Sequence, residues 1–292
     1  MTARTAHRWR FLMDAVAMEG LPSVVDVGAN PLDDPPYKPL LEAGLCKVHG
    51  FEPQKEAFDN LVSQKGEMES YTNAALGDGD SHELNIYGGS GLTSFYEIDT
   101  QAMDFLGRAK RPARRVETVA VQTKRLDDVA EIEQIDLLKI DVQGAEDMIF
   151  KGGKSKLSQA VAVITELRLY PLYHQEPMLD IETATLANLG FAMHKFLFIK
   201  NQMVSNSQKD RLRTRRIGSQ ALDGDCVFVR DLRDPAAVSA HQLKALSLLS
   251  DAVFESYDLA LHCLDMLVQR GLVAPGIPSA YVDLLPEELR KN

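Results

Sequence analysis

Apolar residues in this chain fall into short β-branched runs separated by stretches of helical period. The first run, Val24-Val25-Asp26-Val27, belongs to a buried strand predicted over 22–27. Further runs predict strands near 46–51, 69–76, 82–87, 116–121, 135–142 and 161–167. Helical patterns lie between them, over 6–19, 37–43, 54–64, 145–150 and 178–189. Gly44 and Gly190 stop two of these helices. Strands that alternate with helices predict a mostly parallel sheet with right-handed crossovers. The segments 191–199 and 226–229 are expected to close it as an antiparallel pair.

Pro235 ends this pattern. Beyond it Leu246, Leu249, Val253, Tyr257, Ala260, Leu264 and Leu267 recur at helical spacing. They predict one or two helices, broken by Pro275 and Pro278. The chain therefore divides into a sheet domain, 1–234, and a helical extension, 235–292. The apolar stripe either packs back on the sheet or forms a contact between copies in a homo-oligomer. Three connections stand out. Residues 31–36 are rigid and acidic, and 88–115 begins with Gly88-Gly89-Ser90-Gly91 and ends in a basic run. A second basic run, 211–216, precedes the closing strand. Both basic runs read as solvated loops, or else as contacts to an anionic substrate.

The 292 residues are 45% hydrophobic, enough for a large core. A formal charge of -10 argues against a nucleic-acid groove, although the basic runs keep that reading open. Cys46, Cys226 and Cys263 lack metal-ligand spacing and suit a reducing compartment. No run is long enough to span a bilayer, and Asp14 interrupts any signal-peptide core. A cytoplasmic location is expected.

The candidate chemistry lies at strand ends, where open α/β sheets bind their ligands. Asp26-Val27-Gly28-Ala29-Asn30 supplies a tight turn without the glycines of a dinucleotide fingerprint. Asp26 would also repel a pyrophosphate, so a cationic or amino-acid-bearing ligand fits better than NAD. Glu52 ends the second strand, where a carboxylate can accept from both hydroxyls of a ribose. Asn73 could reach the same crevice. Asp141 ends the central strand and Glu146 opens the next helix, with Lys139 as a candidate counter-charge. Glu166 ends the following strand, ahead of Arg168, Tyr170, Tyr173 and His174. Asp26, Asp141 and Glu166 are oxygen donors compatible with a divalent metal, but no specific metal motif accompanies them. Zinc-type histidine spacing is missing.

These stretches resemble the FkbM family of S-adenosylmethionine-dependent methyltransferases. The resemblance covers roughly residues 20–230. It rests on Val25-Asp26-Val27-Gly28-Ala29-Asn30, Phe51-Glu52-Pro53, Asn73-Ala74-Ala75-Leu76-Gly77-Asp78 and Lys139-Ile140-Asp141-Val142-Gln143-Gly144-Ala145-Glu146. It implies a class I methyltransferase, Rossmann-like sheet with helices on both faces and an antiparallel last strand. It also implies S-adenosylmethionine as cofactor. Asp26, Gly28, Ala29 and Asn30 would then hold its methionine end, and Glu52 its ribose. Asn73 and Ala74 would lie by the adenine, Ser94 nearby, and Asp141 under the reacting centre. Family members commonly carry Ile-Gly after the asparagine, whereas this chain has Pro31-Leu32 and then Pro35-Pro36-Tyr37. The implied reaction is O-methylation of a small molecule or glycan, with Asp141 or Glu166 as base and His174 next in line. A nucleic-acid methyltransferase and a non-catalytic scaffold are the alternatives.

Overall fold

The structure is a computed structural model that describes residues 3–30, 34–109 and 111–291. The insert residues Pro31, Leu32 and Asp33 lie outside the described residues. The strands are β1 Ser23–Val27, β2 Lys47–Phe51, β3 Glu69–Thr72, β4 Ala75–Leu76, β5 Ser81–Tyr87 and β6 Arg115–Lys124. They continue as β7 Leu137–Ile140, β8 Ala162–Arg168, β9 Phe191–Phe196, β10 Lys200–Gln202 and β11 Gln220–Arg230. The helices are α1 Ala3–Ala15, α2 Lys38–Glu42, α3 Lys55–Gln64, α4 Thr100–Phe105, α5 Glu146–Gly152 and α6 Lys154–Leu157. The rest are α7 Leu179–Asn188, α8 Thr214–Ile217, α9 Ala240–Ala252, α10 Tyr257–Gln269 and α11 Ile277–Leu284.

Among the described residues the main sheet has eight strands in the order β10-β11-β8-β7-β1-β2-β3, with β9 also pairing β11. Strands β3, β2, β1, β7 and β8 run parallel, and β11 returns antiparallel to β8. The chain moves outward from β1 to β2 and β3, then crosses back to β7. The order therefore reverses between β1 and β7, which opens a crevice at their C-terminal ends. Strand β11 is long enough to pair β9 along one half and β10 along the other.

Alternation along the strands fills two layers. Val24, Val48, Leu137 and Ile164 join one core with Trp9 and Leu12 of α1. Val25, Val27, Leu138 and Ile140 join the other, with Ile149 and Phe150 of α5 and Leu186 of α7. Leu246, Leu249, Ala260, Leu264 and Leu267 belong to the first layer, so the C-terminal stripe is covered within the chain. The stripe falls on two helices, α9 and α10, and a third, α11, follows Pro275. Asp251 of α9 pins this layer: it accepts from Arg8 (2.7 and 2.9 Å), Trp9 (2.6 Å) and Tyr281 (2.6 Å).

Two expectations change in detail. The strand expected over 69–76 is split at Asn73-Ala74, and its second part, β4, joins a separate three-stranded sheet with β5 and β6. The segment 88–115 is more than a solvated loop. Its first part folds into a cap in which Leu92, Ile98, Met103 and Leu106 pack on Leu172, Tyr173 and Leu222.

Candidate functional site

The C-terminal ends of β1, β2, β7 and β8 and the N-terminal half of the antiparallel β11 surround a cavity of about 940 Å³. Gly28 makes its first wall possible. Gly28 and Ala29 both donate to the Phe51 carbonyl at 3.1 Å, while Asp141 donates its backbone N–H to Val27 at 3.0 Å. This clamps the turn between two neighbouring strands. Gly28 has φ +79°, and a Cβ there would meet the Asp141 carbonyl oxygen at 2.0 Å. Only glycine meets both constraints.

Asp26 lies in the wall, 3% exposed. Its Oδ2 accepts from Tyr37 at 2.5 Å, and Lys139 Nζ stands 3.4 Å from Oδ1. Among the described residues no donor makes a close hydrogen bond to Oδ1. Glu52 is also buried and lines the cavity. Its Oε1 accepts from the Gln54 N–H at 2.7 Å. Burial raises the Glu52 carboxyl above its usual range, the Gln54 N–H opposes this, and the charge of Asp26 adds to the rise. Ala74, Ala75 and Leu76 form an apolar wall beyond it.

At the other end, the side chain of Gln143 joins two strands. Its Nε2 donates to Asp141 Oδ1 and to Glu166 Oε2, both at 2.7 Å. Its Oε1 accepts from Arg168 at 3.3 Å and Tyr173 at 3.4 Å, which fixes the amide orientation. Arg168 also pairs with Glu176 at 3.2 Å and Asp223 at 2.9 Å. Gln143 itself has φ +57°, an uncommon region for a residue with a Cβ. Ser94 donates to its carbonyl oxygen at 2.6 Å and holds that backbone in place. Burial raises Glu166 well above the carboxylate range, against the pull of Arg168. Burial, with Asp141 adding repulsion, pushes Asp225 up to about 6.

Residues 26–193 match the methyltransferase FkbM domain, more than half of the chain. The chain belongs to the FkbM methyltransferase family. A relative, the 2-O-methyltransferase NoeI of Sinorhizobium fredii, is 34% identical over 100 residues, which is 33% of this chain. The aligned stretch spans 37% of that relative's own length. Solved structures with a similar outline include Streptococcus pneumoniae Sp1610, at TM-score 0.38 and 13% identity, covering 97% of this chain and 96% of that one. Another is a precorrin-6y C5,15-methyltransferase of Geobacter metallireducens, at TM-score 0.35 and 10% identity, covering 77% and 86%. The sheet of this FkbM chain is that of a class I methyltransferase, mixed α/β and mostly parallel.

Of the residues singled out from the sequence, Asp26, Gly28, Ala29, Asn30, Glu52, Ala74, Asp141 and Glu166 line the one cavity. Four others occupy different places. Asn73 turns its Nδ2 to the Glu52 and Pro53 carbonyls at 2.8 and 3.0 Å, bracing the loop between them. Ser94 is buried beneath Gln143, while its neighbours Thr93 and Phe95 reach the cavity. Glu146 accepts from the Val142 and Gly144 N–H groups at 2.9 and 2.8 Å, so it shapes the loop after β7 from behind. Burial raises its carboxyl to about 7. His174 has an exposed side chain 3.9 Å from Asp99 and is outside the cavity lining.

Sequence reasoning passed over Asp223, Asp225, Lys200 and Phe198, which complete the cavity on the β10–β11 side. Asp223 and Asp225 do carry a signal. They are two residues apart in β11 and so share a face, but the strand was expected to begin only at 226. Among the described residues the charged side chains of both basic runs are largely exposed. Among the described residues no group of three or more His, Cys, Asp or Glu is placed to hold a metal ion. Nor is any described helix long and apolar enough to cross a membrane.

Proposed function

We propose that this chain is an S-adenosylmethionine-dependent O-methyltransferase acting on a hydroxyl of a glycan or small molecule, in a cytoplasmic setting. The observation that carries this reading is the cavity itself. It combines a buried carboxylate at the end of β2, an apolar wall after β3 and a carboxylate at the end of β7, within a methyltransferase family sheet.

The side chains fit the cofactor. Glu52 gives one oxygen to Gln54 and has the other for ribose hydroxyls. Ala74, Ala75 and Leu76, with Leu84, suit a flat base. Asp26 and Asn30 lie at the turn where an amino acid group would sit. Asp26 Oδ1, beside Lys139 Nζ at 3.4 Å, accepts no close hydrogen bond among the described residues and offers itself to a ligand amino group. The carboxylates that line the cavity outnumber its lysines, Lys38, Lys65, Lys139 and Lys200, which favours a positively charged ligand. When bound, S-adenosylmethionine supplies a methyl group already activated on a sulfonium.

The protein's task is then alignment and proton management. Asp141 and Glu166, held by Gln143, fix the floor beneath the reacting centre. Phe198 and the carboxylates of β11 offer an apolar face and hydroxyl acceptors to the second substrate. A sugar hydroxyl is a poor acid, so its proton leaves as the new C–O bond forms. The 2-O-methyltransferase relative supports oxygen as the acceptor atom. Buried, unpaired Cys46, Cys226 and Cys263 suit the reducing setting.

The test is methyl transfer from labelled S-adenosylmethionine to separate pools of neutral glycans, small hydroxylated metabolites and RNA. The expected result is alkali-stable, ether-linked label in one of the first two pools. Label confined to RNA would favour the nucleic-acid alternative. Cofactor binding with no transfer to any pool would favour a scaffold.

A further inference from the structure

Asp141, Glu166, Asp223 and Asp225 line one end of the cavity, and three of them are already engaged. Asp141 and Glu166 share the Gln143 amide. Glu166 receives Arg168 at the same oxygen, Oε2, and Asp223 receives another arm of Arg168. Asp225 is different. Its backbone carbonyl accepts from Leu197, but among the described residues its carboxylate takes no hydrogen bond and no close ion pair. It stands opposite Glu166 in the β11–β8 register, on the side of the cavity away from the β1 turn. A carboxylate with both oxygens free of donors can take a hydroxyl proton without first giving up a hydrogen bond, whereas Asp141 and Glu166 each have one oxygen held by Gln143.

We propose that Asp225 is the general base of the reaction, and that Gln143 is a positioning residue that keeps Asp141 and Glu166 out of that role. The inference rests on the O-methyltransferase reading above. In the step, the hydroxyl oxygen forms a bond to the methyl carbon. The carbon–sulfur bond breaks and its electron pair goes to sulfur. The hydroxyl proton passes to Asp225, and from there to water at the cavity mouth.

The surrounding charges suit the task. Lys139 and Asp141 face Asp225 from β7, Glu166 and Arg168 from β8, Lys200 from β10 and Asp223 from β11 itself. Asp26 lies one strand further on and is matched by Lys139. Burial, Asp141 and Asp223 raise the Asp225 carboxyl, while Lys139 and Lys200 restrain it, leaving it at about 6. Such a group is ionised at neutral pH and still basic enough to accept a proton during the step.

Two readouts test this on wild type, Asp225→Asn, Asp225→Glu and Gln143→Leu. The first is binding of S-adenosylmethionine against S-adenosylhomocysteine by calorimetry from pH 5 to 8, which needs no acceptor. The charged sulfonium should lose its advantage over the neutral thioether below about pH 6 in wild type. That dependence should weaken in Asp225→Asn, stay in Asp225→Glu and be displaced in Gln143→Leu. The second is the pH–rate profile of label transfer to the acceptor pool. Asp225→Asn should lose on the order of 10²–10³-fold in rate and lose the acid limb, with S-adenosylhomocysteine affinity held within about threefold. Asp225→Glu should restore the limb. An unchanged sulfonium preference and rate profile in Asp225→Asn would overturn the proposal, as would an equal loss of S-adenosylhomocysteine binding. If wild type binds neither cofactor form, it is the methyltransferase reading that fails, and the two failures are distinct.

Discussion

Gly28→Ala is the sharpest perturbation of the site's architecture. Two effects act at that position. The first is backbone strain: at φ +79° an alanine costs about 1–2 kcal/mol. The second is a collision, since the new Cβ would lie 2.0 Å from the Asp141 carbonyl oxygen. Relief requires the end of β7 to move by more than an ångström, and overpacking of this kind costs about 1–3 kcal/mol. Together they predict a loss of roughly 2–5 kcal/mol. Gly44 isolates the first effect. Its φ is +70°, and a Cβ there meets nothing within 4 Å. Gly44→Ala should therefore cost only about 1–2 kcal/mol. Urea unfolding of both variants measures the difference, and calorimetry with S-adenosylhomocysteine measures what the displaced Asp141 loop does to binding. Gly28→Ala should be the less stable of the two by at least about 1 kcal/mol and should bind at least about tenfold more weakly. Equal stabilities and unchanged binding would refute the claim that close approach between the β1 turn and Asp141 builds the cavity.

Other expectations follow from the same contacts. Asp251→Ala would leave buried Arg8 without its partner and remove acceptors from Trp9 and Tyr281, so unfolding should become easier by about 3–5 kcal/mol. A loss under about 1 kcal/mol in denaturant titration would contradict that role. Asp225→Asn should stabilise the protein at alkaline pH. Its folded-state value, about 6, is above the ordinary 3.8, so the native state holds the proton more tightly than the unfolded chain. The stabilisation from that proton is complete below about pH 4 and lost as the pH rises through 6. At pH 8 the substitution should then gain ~1–3 kcal/mol, and at pH 3.5 almost nothing. Melting temperatures at the two pH values provide the check, and an equal shift at both would sink the idea. Asn73→Ala removes two donors that brace the Glu52–Pro53 turn and should weaken S-adenosylhomocysteine binding by about three- to tenfold, with little change in fold. Full affinity in this variant would mean the brace is dispensable.

The sheet was largely legible because its strands are buried on both faces. Val24–Val27, Leu137–Ile140 and Ala162–Ile164 are mostly apolar, and glycines or polar residues follow them. Their order made the crevice predictable, and with it the places of Asp26, Gly28, Glu52 and Asp141. The cap was not legible. Leu92, Ile98, Met103 and Leu106 sit in a glycine-rich stretch without regular spacing, and their partners Leu172, Tyr173 and Leu222 come from a distant loop and from β11. The roles of Ser94, Glu146 and Asn73 depend on backbone groups brought near by turns, and residue type cannot report that. Asp223 and Asp225 were missed for a simpler reason. Two carboxylates flanking Gly224 look like a turn, and only pairing with β8 shows that they continue a strand.

Calorimetric titration of S-adenosylhomocysteine into wild type and Glu52→Ala tests whether Glu52 and the Gly28 turn hold S-adenosylmethionine in this cavity. Wild type should show saturable one-to-one binding. Glu52→Ala should bind about 10–100-fold more weakly, the worth of hydrogen bonds to a charged group. No binding to wild type, or equal affinity in the two proteins, would contradict that placement.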